Sequence, residues 1–166
     1  MTGTLEHIRP SRNARLCWGA AVALAVFVAV AGCSPRTESP QTLPKMSITV
    51  GGRALAVEVA MRPAERATGM MFRKKIGPDE GMLFVFPYDA RTPFYMRNTY
   101  VPLSIAFITS GGVIMNIEEM QPLKEDLHYP VVECRYALEM PAGWFERNKV
   151  KVGDRVALPL EAVATE

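Results

Sequence analysis

The side chains that most often perform catalysis or bind metals are sparse in this 166-residue chain. Its predicted folded part contains one histidine, His128, and one cysteine, Cys134. A nucleophilic thiol activated by an imidazole base would have to use that pair. Cys134, however, alternates with Tyr136, Leu138 and Met140, so it falls on the strand face that we expect to be buried. Because a reactive thiol needs exposure and a positively charged environment, we expect Cys134 to be inert.

Metal ligands are equally scarce. Zinc and non-haem iron usually take several His, Cys or carboxylate ligands, and the spacing of His128 and Cys134 matches no common ligand pattern. We therefore predict no metal centre and no cofactor. The chain has ten methionines, all but Met1 in the predicted domain, which keeps open a thioether site for Cu(I). Since none forms an M-x-M or M-x-x-M pattern, core packing explains them better.

Motifs for hydrolysis and phosphate binding are missing from the sequence. It has neither a G-x-S-x-G nucleophile elbow nor a phosphate-binding G-x-x-x-x-G-K. Two carboxylate pairs, Glu118 with Glu119 and Glu125 with Asp126, could supply an acid and a base. Neighbouring residues on a strand point to opposite faces, so the first pair is better explained as one solvated and one rim carboxylate. No catalytic residue is predicted.

The elements that would position these residues are mainly strands. "SITVGGRALAVEVA" alternates with a period of two around a Gly-Gly turn and predicts a β-hairpin. "RPAERATGMMF" changes to helical spacing, and "MLFVF" is typical of a buried strand. Further strands are predicted at "TPFYM", "PLSIAFI", "GVIMNIEEM", "ECRYALEM" and "DRVALPL". The pattern predicts a mainly β fold, a compact β-sandwich or closed β-barrel with one short helix, after an N-terminal signal segment.

The first 33 residues indicate export. Arg9, Arg12 and Arg15 precede the uncharged stretch "LCWGAAVALAVFVAVAG", which is short for a membrane span and ends in small residues. Its end, "VAGC", resembles the lipobox of bacterial lipoproteins, in which the cysteine is acylated and becomes the mature N-terminus. The resemblance implies a lipid anchor on Cys33. Ser34, where an Asp would favour retention in the inner membrane, favours the outer membrane if the bacterium has one.

Four segments are predicted from this pattern: a lipoprotein signal peptide at 1–32, the acylated Cys33 with a flexible tether to residue 44, a single β domain at 45–161, and a frayed C-terminus at 162–166. The leader carries three arginines and one glutamate, which accounts for the net charge of +2. The predicted mature chain is therefore formally neutral and lacks the basic surface that nucleic acid requires. The predicted partners are membrane lipid through Cys33 and an unknown envelope ligand or protein.

Three stretches carry a family resemblance. In order along the chain they are "RATGMMFRKKIGPDEGMLFVF", "FYMRNTYVPLSIAFI" and "YALEMPAGWFERNKVKVGDRV". Together they resemble the bacterial domain of unknown function 192 family, which implies a compact, mainly β domain that is often exported and has no established activity. Tyr95 and Arg97 stand where that family has Trp and Lys. Ser104 stands where it has Asp, which weakens a catalytic or metal-binding role for that position.

Polar residues of these motifs define a possible ligand groove made of Arg66, Arg97, Asn98, Thr99 and Glu139. Arg and Asn are common recognition groups for anions and carbonyls. The stretch "FYMRNT" also has a structural interpretation, in which a strand ends and Asn98 and Thr99 hydrogen-bond to nearby backbone groups at the turn.

The sequence thus predicts a lipid-anchored envelope protein, facing the periplasm or the exterior, whose domain binds a ligand or partner without catalysis. Two alternatives remain at this stage. One is a hydrolase-like enzyme with a carboxylate cleft around Glu139 and Arg97. The other is a methionine-based copper-binding envelope protein.

Overall fold

The computed structural model describes residues 39–158. The predicted signal peptide, the lipidation site Cys33 and the predicted frayed C-terminus lie outside the described residues. No helix within residues 39–158 is long and apolar enough to cross a bilayer. The elements in chain order are β1 (Lys45–Val50), β2 (Arg53–Ala60), α1 (Pro63–Thr68), β3 (Met82–Ala90), β4 (Leu103–Ile108), β5 (Ile114–Met120), β6 (Cys134–Pro141), α2 (Trp144–Arg147) and β7 (Val156–Ala157).

The strands form one curled sheet in the order β5-β4-β6-β3-β2-β1-β7. Every neighbouring pair is antiparallel except β2 with β3, and α1 lies in the crossover that this parallel pair requires. The two edges meet at one end of the sheet. There the Ile114 N–H donates to the Asp154 carbonyl at 3.0 Å, and the Val156 N–H donates to the Gly112 carbonyl at 2.8 Å. The fold is a half-barrel, which confirms the mainly β prediction.

The predicted hairpin and helix are confirmed. β1 and β2 are joined by Gly51 and Gly52, whose φ angles of +57° and +79° suit the tight turns that favour glycine at both central positions. α1 begins with Pro63, where a missing amide donor costs no helical hydrogen bond. The Glu65 carboxylate accepts the backbone N–H of Arg62 at 2.9 Å and so satisfies the start of the helix.

Two details of the prediction are wrong. The segment "TPFYM" is not a strand, because only Phe94 pairs across, in a single bridge with His128. It instead covers one face of the sheet, with Met96 buried and its N–H donated to the Lys124 carbonyl at 2.8 Å. The second helix, α2, was not predicted. Its four residues span barely one turn, too few for helical periodicity to emerge in the sequence.

Both faces of the sheet are covered by apolar side chains. Along β3, Leu83 and Val85 belong to one core cluster, which also contains Trp144 of α2. Met82 and Phe84 point the other way and belong to a second cluster beneath the loops. All six residues of β4 are buried, which explains why five of them are apolar and Ser104 is the single polar residue. The second face is the one that carries a cavity.

Residues 41–44, which the sequence assigns to the tether, contact the domain. The side-chain amide of Gln41 donates to the carbonyls of Glu65 and Gly69, at 2.8 and 2.9 Å. The Val59 N–H donates to the Pro44 carbonyl at 3.0 Å. The chain is therefore fixed to the end of α1 before β1 begins.

Candidate functional site

A pocket of about 300 Å³ lies on the second face of the sheet. Its walls come from α1 and the turn that follows, from β3, and from the segment that crosses the sheet between β3 and β4. The residues that line it are Pro63, Arg66, Ala67, Thr68, Gly69, Met70, Met71, Phe84, Phe86, Thr92, Pro93, Phe94, Tyr95, Thr99 and Glu139. We call this cavity the aromatic pocket. Its volume is at the lower end of the roughly 300–1,000 Å³ usual for small-molecule sites.

Glu139 is the one acidic residue that lines the aromatic pocket. It lies on the central strand β6, paired with Met82 on one side and Ile105 on the other, and is only 4% exposed. Within residues 39–158 its Oε2 atom has no hydrogen-bond partner. Burial raises the pKa of Glu139 to about 8, against the opposing effect of the Arg73 charge. At neutral pH this carboxyl group is therefore mostly protonated and able to donate a hydrogen bond.

Arg66 is the one basic residue that lines the aromatic pocket. Its Nη1 atom donates to the carbonyls of Met61 and Val85, the latter at 3.0 Å. The guanidinium carbon lies 5.1 Å from the centre of the Phe86 ring, a cation–π arrangement. Arg66 has no salt bridge within residues 39–158. Two neutral carbonyl groups and an aromatic ring therefore hold the side chain in place, while the nearby Glu65 carboxylate interacts with its charge without forming a salt bridge.

Aromatic rings form the apolar part of the pocket wall. Phe94 packs edge-to-face against Phe84, with ring centres 5.0 Å apart, and against Phe86 at 6.2 Å. A third such contact joins Phe94 to Phe107 at 5.7 Å. These arrangements are the favoured ones for aromatic pairs, so the walls are well packed.

The structure brings together three of the five predicted groove residues. Arg66, Thr99 and Glu139 line the aromatic pocket. Arg97 does not: it makes a two-pronged ion pair with Glu125, at 3.1 and 2.7 Å, on the protein surface. The alternative of a cleft built from Glu139 and Arg97 therefore lacks its basic partner at the pocket.

Asn98 also lies outside the pocket lining, and the interpretation of its side chain is wrong. The residue has φ +54°, and within residues 39–158 its side chain makes no hydrogen bond. Its backbone carbonyl instead accepts the Phe72 N–H at 2.7 Å. Thr99 behaves as expected, because its hydroxyl donates to the Arg97 carbonyl at 3.3 Å. Asn98 is therefore suited to a left-handed backbone position, which Asn tolerates better than most residues.

A buried ion pair adjoins Glu139. Arg73 Nη2 contacts Glu58 Oε2 at 2.8 Å, and both side chains are largely buried.

Sequence reasoning did not identify this pair or the role of Phe94. Phe84 and Phe86 did carry a signal, since they are two residues apart on one strand and so share a face. The contact of that face with "TPFYM" depends on tertiary structure and left no local trace.

The residues considered for nucleophilic or metal chemistry are used otherwise. Cys134 is buried, as predicted, and burial raises its thiol pKa to about 11, which keeps it protonated. His128 Nδ1 hydrogen-bonds to Glu118 at 2.7 Å. Among residues 39–158 no three His, Cys, Asp or Glu side chains are grouped to hold a metal. Met70, Met82, Met96 and Met120 pack in the second core cluster.

Ser104, which is buried, forms a polar cluster with the exposed Glu119 on the opposite face. Its hydroxyl lies 2.5 Å from Glu119 Oε1 and accepts the Gly143 N–H at 2.7 Å. Glu119 Oε2 also accepts that N–H, at 3.2 Å. The cluster fixes the start of α2 to strands β4 and β5.

A family model described as DUF192, uncharacterized ACR, matches residues 46–158. The chain belongs to the DUF192 family. The match spans all of the sheet except its first residue, Lys45, and every residue of the aromatic pocket. It carries no assigned activity, as its description states.

One known protein resembles this chain in sequence, and two solved structures resemble it in sequence and fold. The UPF0127 protein PF1050 of Pyrococcus furiosus is 26% identical over 109 residues, 63% of this chain and 90% of that protein. A crystal structure of a Novosphingobium aromaticivorans protein of unknown function is 33% identical with a TM-score of 0.67, covering 70% of this chain and 86% of that one. A Sinorhizobium meliloti protein, described as a candidate transcription regulator, is 36% identical with a TM-score of 0.66, covering 71% and 96%.

Proposed function

We propose that this DUF192 protein is a lipid-anchored envelope protein whose domain binds a small, mainly apolar molecule in the aromatic pocket. The observation that carries the proposal is Glu139, a buried carboxyl group at an apolar cavity with one oxygen unpartnered within residues 39–158. A buried polar atom without a partner costs about 1–3 kcal/mol. A ligand that supplies the missing hydrogen bond recovers that cost, and the aromatic walls favour its apolar part.

Binding without catalysis fits the pocket better than hydrolysis does. General acid–base catalysis commonly uses two ionisable groups that reach the reacting atoms. Glu139 is the one carboxyl group in the pocket lining, and Glu125 is engaged with Arg97 on the surface. The surrounding polar groups are hydroxyls and one guanidinium, which suit recognition.

The lipid anchor is supported by the sequence before the domain. The apolar stretch ends at Cys33 with the small residues of a lipobox, and dual acylation gives stable membrane attachment. The anchored protein faces the periplasm or the cell exterior, with the outer membrane favoured where one exists.

The binding proposal is tested by extracting small molecules from the purified full-length protein and identifying them by mass spectrometry. Ala67 and Ala64 are both exposed on α1, and Ala67 alone of the two lines the pocket. We expect Ala67→Trp to lose the bound molecule and Ala64→Trp, the matched control, to retain it. Equal recovery from both variants would place the molecule elsewhere and contradict the proposal.

The anchoring proposal has a separate test. In the native host we expect the protein in the membrane fraction, with the intact mass of a chain that begins at an acylated Cys33. Cys33→Ala should release or mislocalise it. An uncleaved, unmodified chain that begins at Met1 would contradict this part.

A further inference from the structure

Arg66 is arranged as a receptor for an anion. Its Nη1 atom is held by two backbone carbonyls, and the Phe86 ring lies under the guanidinium plane. The Nε and Nη2 atoms make no hydrogen bond within residues 39–158. A guanidinium fixed in this way loses little conformational entropy when it pairs, and its planar set of donors matches a carboxylate.

The charges of the residues around the pocket determine whether it favours an anionic or a cationic ligand. Arg66 and Glu139 are the two residues with ionisable charges among those that line it, apart from the phenol of Tyr95. Because burial raises the pKa of Glu139 to about 8, its carboxyl group is mostly uncharged at neutral pH. Arg73, the other cation that affects Glu139, is already paired with Glu58. The Glu65 carboxylate, which also interacts with Arg66, lies outside the lining and accepts the backbone N–H groups of Met61 and Arg62. The residues that line the pocket are therefore cationic, which disfavours an ammonium ligand.

We infer that the ligand is a small carboxylate with an apolar body, and that Arg66 pairs with its carboxylate while the body packs among Phe84, Phe86 and Phe94. This inference rests on the binding function proposed above. Charge pairing in an apolar, partly enclosed site is stronger than on an exposed surface, since the effective dielectric constant is lower. A ring or short alkyl chain fits the edge-to-face packing of the walls.

The inference is tested with three probes that share one body: 3-phenylpropanoate, 3-phenylpropan-1-ol and 3-phenylpropylamine. Each is titrated by calorimetry at pH 7 into the full-length protein in phospholipid nanodiscs, with empty nanodiscs as the blank. We expect the acid to bind at least about tenfold more tightly than the alcohol, and the amine most weakly. This comparison uses the wild-type protein and needs no variant to fold.

A pair of variants then assigns the preference to Arg66. Arg66→Met removes the charge but keeps an unbranched side chain over Phe86, and it should bind the acid and the alcohol equally. Arg62→Met is the matched control, because Arg62 lies one helical turn away, is 84% exposed and is absent from the pocket lining. It should keep the full preference for the acid.

The outcomes separate the two proposals. An alcohol or amine that binds wild-type protein as tightly as the acid overturns the carboxylate assignment and leaves the pocket's binding role standing. A preference for the acid that survives in Arg66→Met overturns the role of Arg66. If none of the probes binds, the inferred ligand class is wrong, while the extraction experiment with Ala67→Trp still decides whether the pocket is a binding site.

Discussion

Glu139 combines two roles that usually exclude each other. It occupies a central position of the sheet, where an apolar side chain would pack without cost, and it is also the acidic residue of the aromatic pocket. Buried carboxyl groups are expensive unless they are paired, because ionisation in an apolar surrounding is unfavourable. The protein tolerates the residue by keeping it protonated, which makes its stability depend on pH.

The free energy of unfolding should fall as pH rises from about 5 to 8. The pKa of Glu139 is about 8 in the folded state and 4.5 ordinarily, so the folded state binds the extra proton across that range. One such group contributes a slope of up to about 1.4 kcal/mol per pH unit. Urea denaturation of wild type and Glu139→Gln at several pH values measures it. Because Gln resembles the protonated carboxyl group and does not titrate, Glu139→Gln should become increasingly more stable than wild type as pH rises, and a difference that stays constant with pH would contradict the assignment.

Asn98 should be replaceable by glycine but not by alanine. Its φ of +54° is strained for a residue with a Cβ atom, and the cost for alanine is about 1 kcal/mol. Denaturant melts should show that loss for Asn98→Ala and a change within about 0.5 kcal/mol for Asn98→Gly. An equal loss in both variants would mean that the amide side chain, and not the backbone angle, matters.

At the scale of elements, the start of α2 is attached to the sheet by two side chains from neighbouring strands. Ser104 stands where the family resemblance in the sequence implies an Asp, and Glu119 on the adjacent strand supplies a carboxylate to the same place. The Gly143 N–H contacts both groups. Two residues thus do together what one Asp side chain could do by accepting that N–H directly.

A double-mutant cycle tests this compensation. Ser104→Asp alone places a buried carboxylate beside the carboxylate of Glu119 and should destabilise the fold by about 1–3 kcal/mol. Ser104→Asp combined with Glu119→Gln should recover most of the loss, because one carboxylate then remains. Urea melts of the four proteins give the coupling energy. Additive losses would show that the two positions act independently.

The elements are largely predictable from the sequence, and the site only in part. The hairpin, α1 and the buried strands follow from periodicity and turn residues, which are local signals. Glu139, Arg66 and Thr99 were identified as site residues from their motifs. The pocket required Phe94 to lie across the sheet from α1, a contact between segments far apart in sequence. Arg97 was misplaced because its partner Glu125 comes from a loop that no pattern connects to it.

At the scale of the whole molecule, the folded part of the chain extends into the predicted tether. Arg73 Nη2 donates to the Gln41 carbonyl at 3.0 Å, and the Leu43 N–H donates to Glu58 Oε2 at 2.9 Å. These bonds join the segment to the buried ion pair next to Glu139. Residues 41–44 therefore contribute more to the stability of the folded domain than their amino-acid composition indicates.

Truncation to Lys45 should therefore destabilise the protein. Several hydrogen bonds disappear with residues 41–44, each worth about 1 kcal/mol net, so the expected loss is roughly 2–4 kcal/mol. A chain that begins at Ser39 keeps all of these hydrogen bonds, is the matched control, and should be the more stable of the two truncated chains. Thermal and urea denaturation of the two chains decide the matter, and equal midpoints would show that the segment adds nothing.

Because Gln41 is hydrogen-bonded to the end of α1, it also sets the length of the free segment between the predicted lipid and the domain. If Cys33 carries the proposed lipid, seven residues separate it from Gln41, and the fully extended chain between the two residues reaches at most about 29 Å. Gln41 contacts Gly69 in the wall of the aromatic pocket, so this wall then lies within about one domain diameter of the bilayer. A domain anchored in this way stays close to the membrane surface. It therefore encounters molecules that leave the lipid phase before it encounters those dissolved farther away.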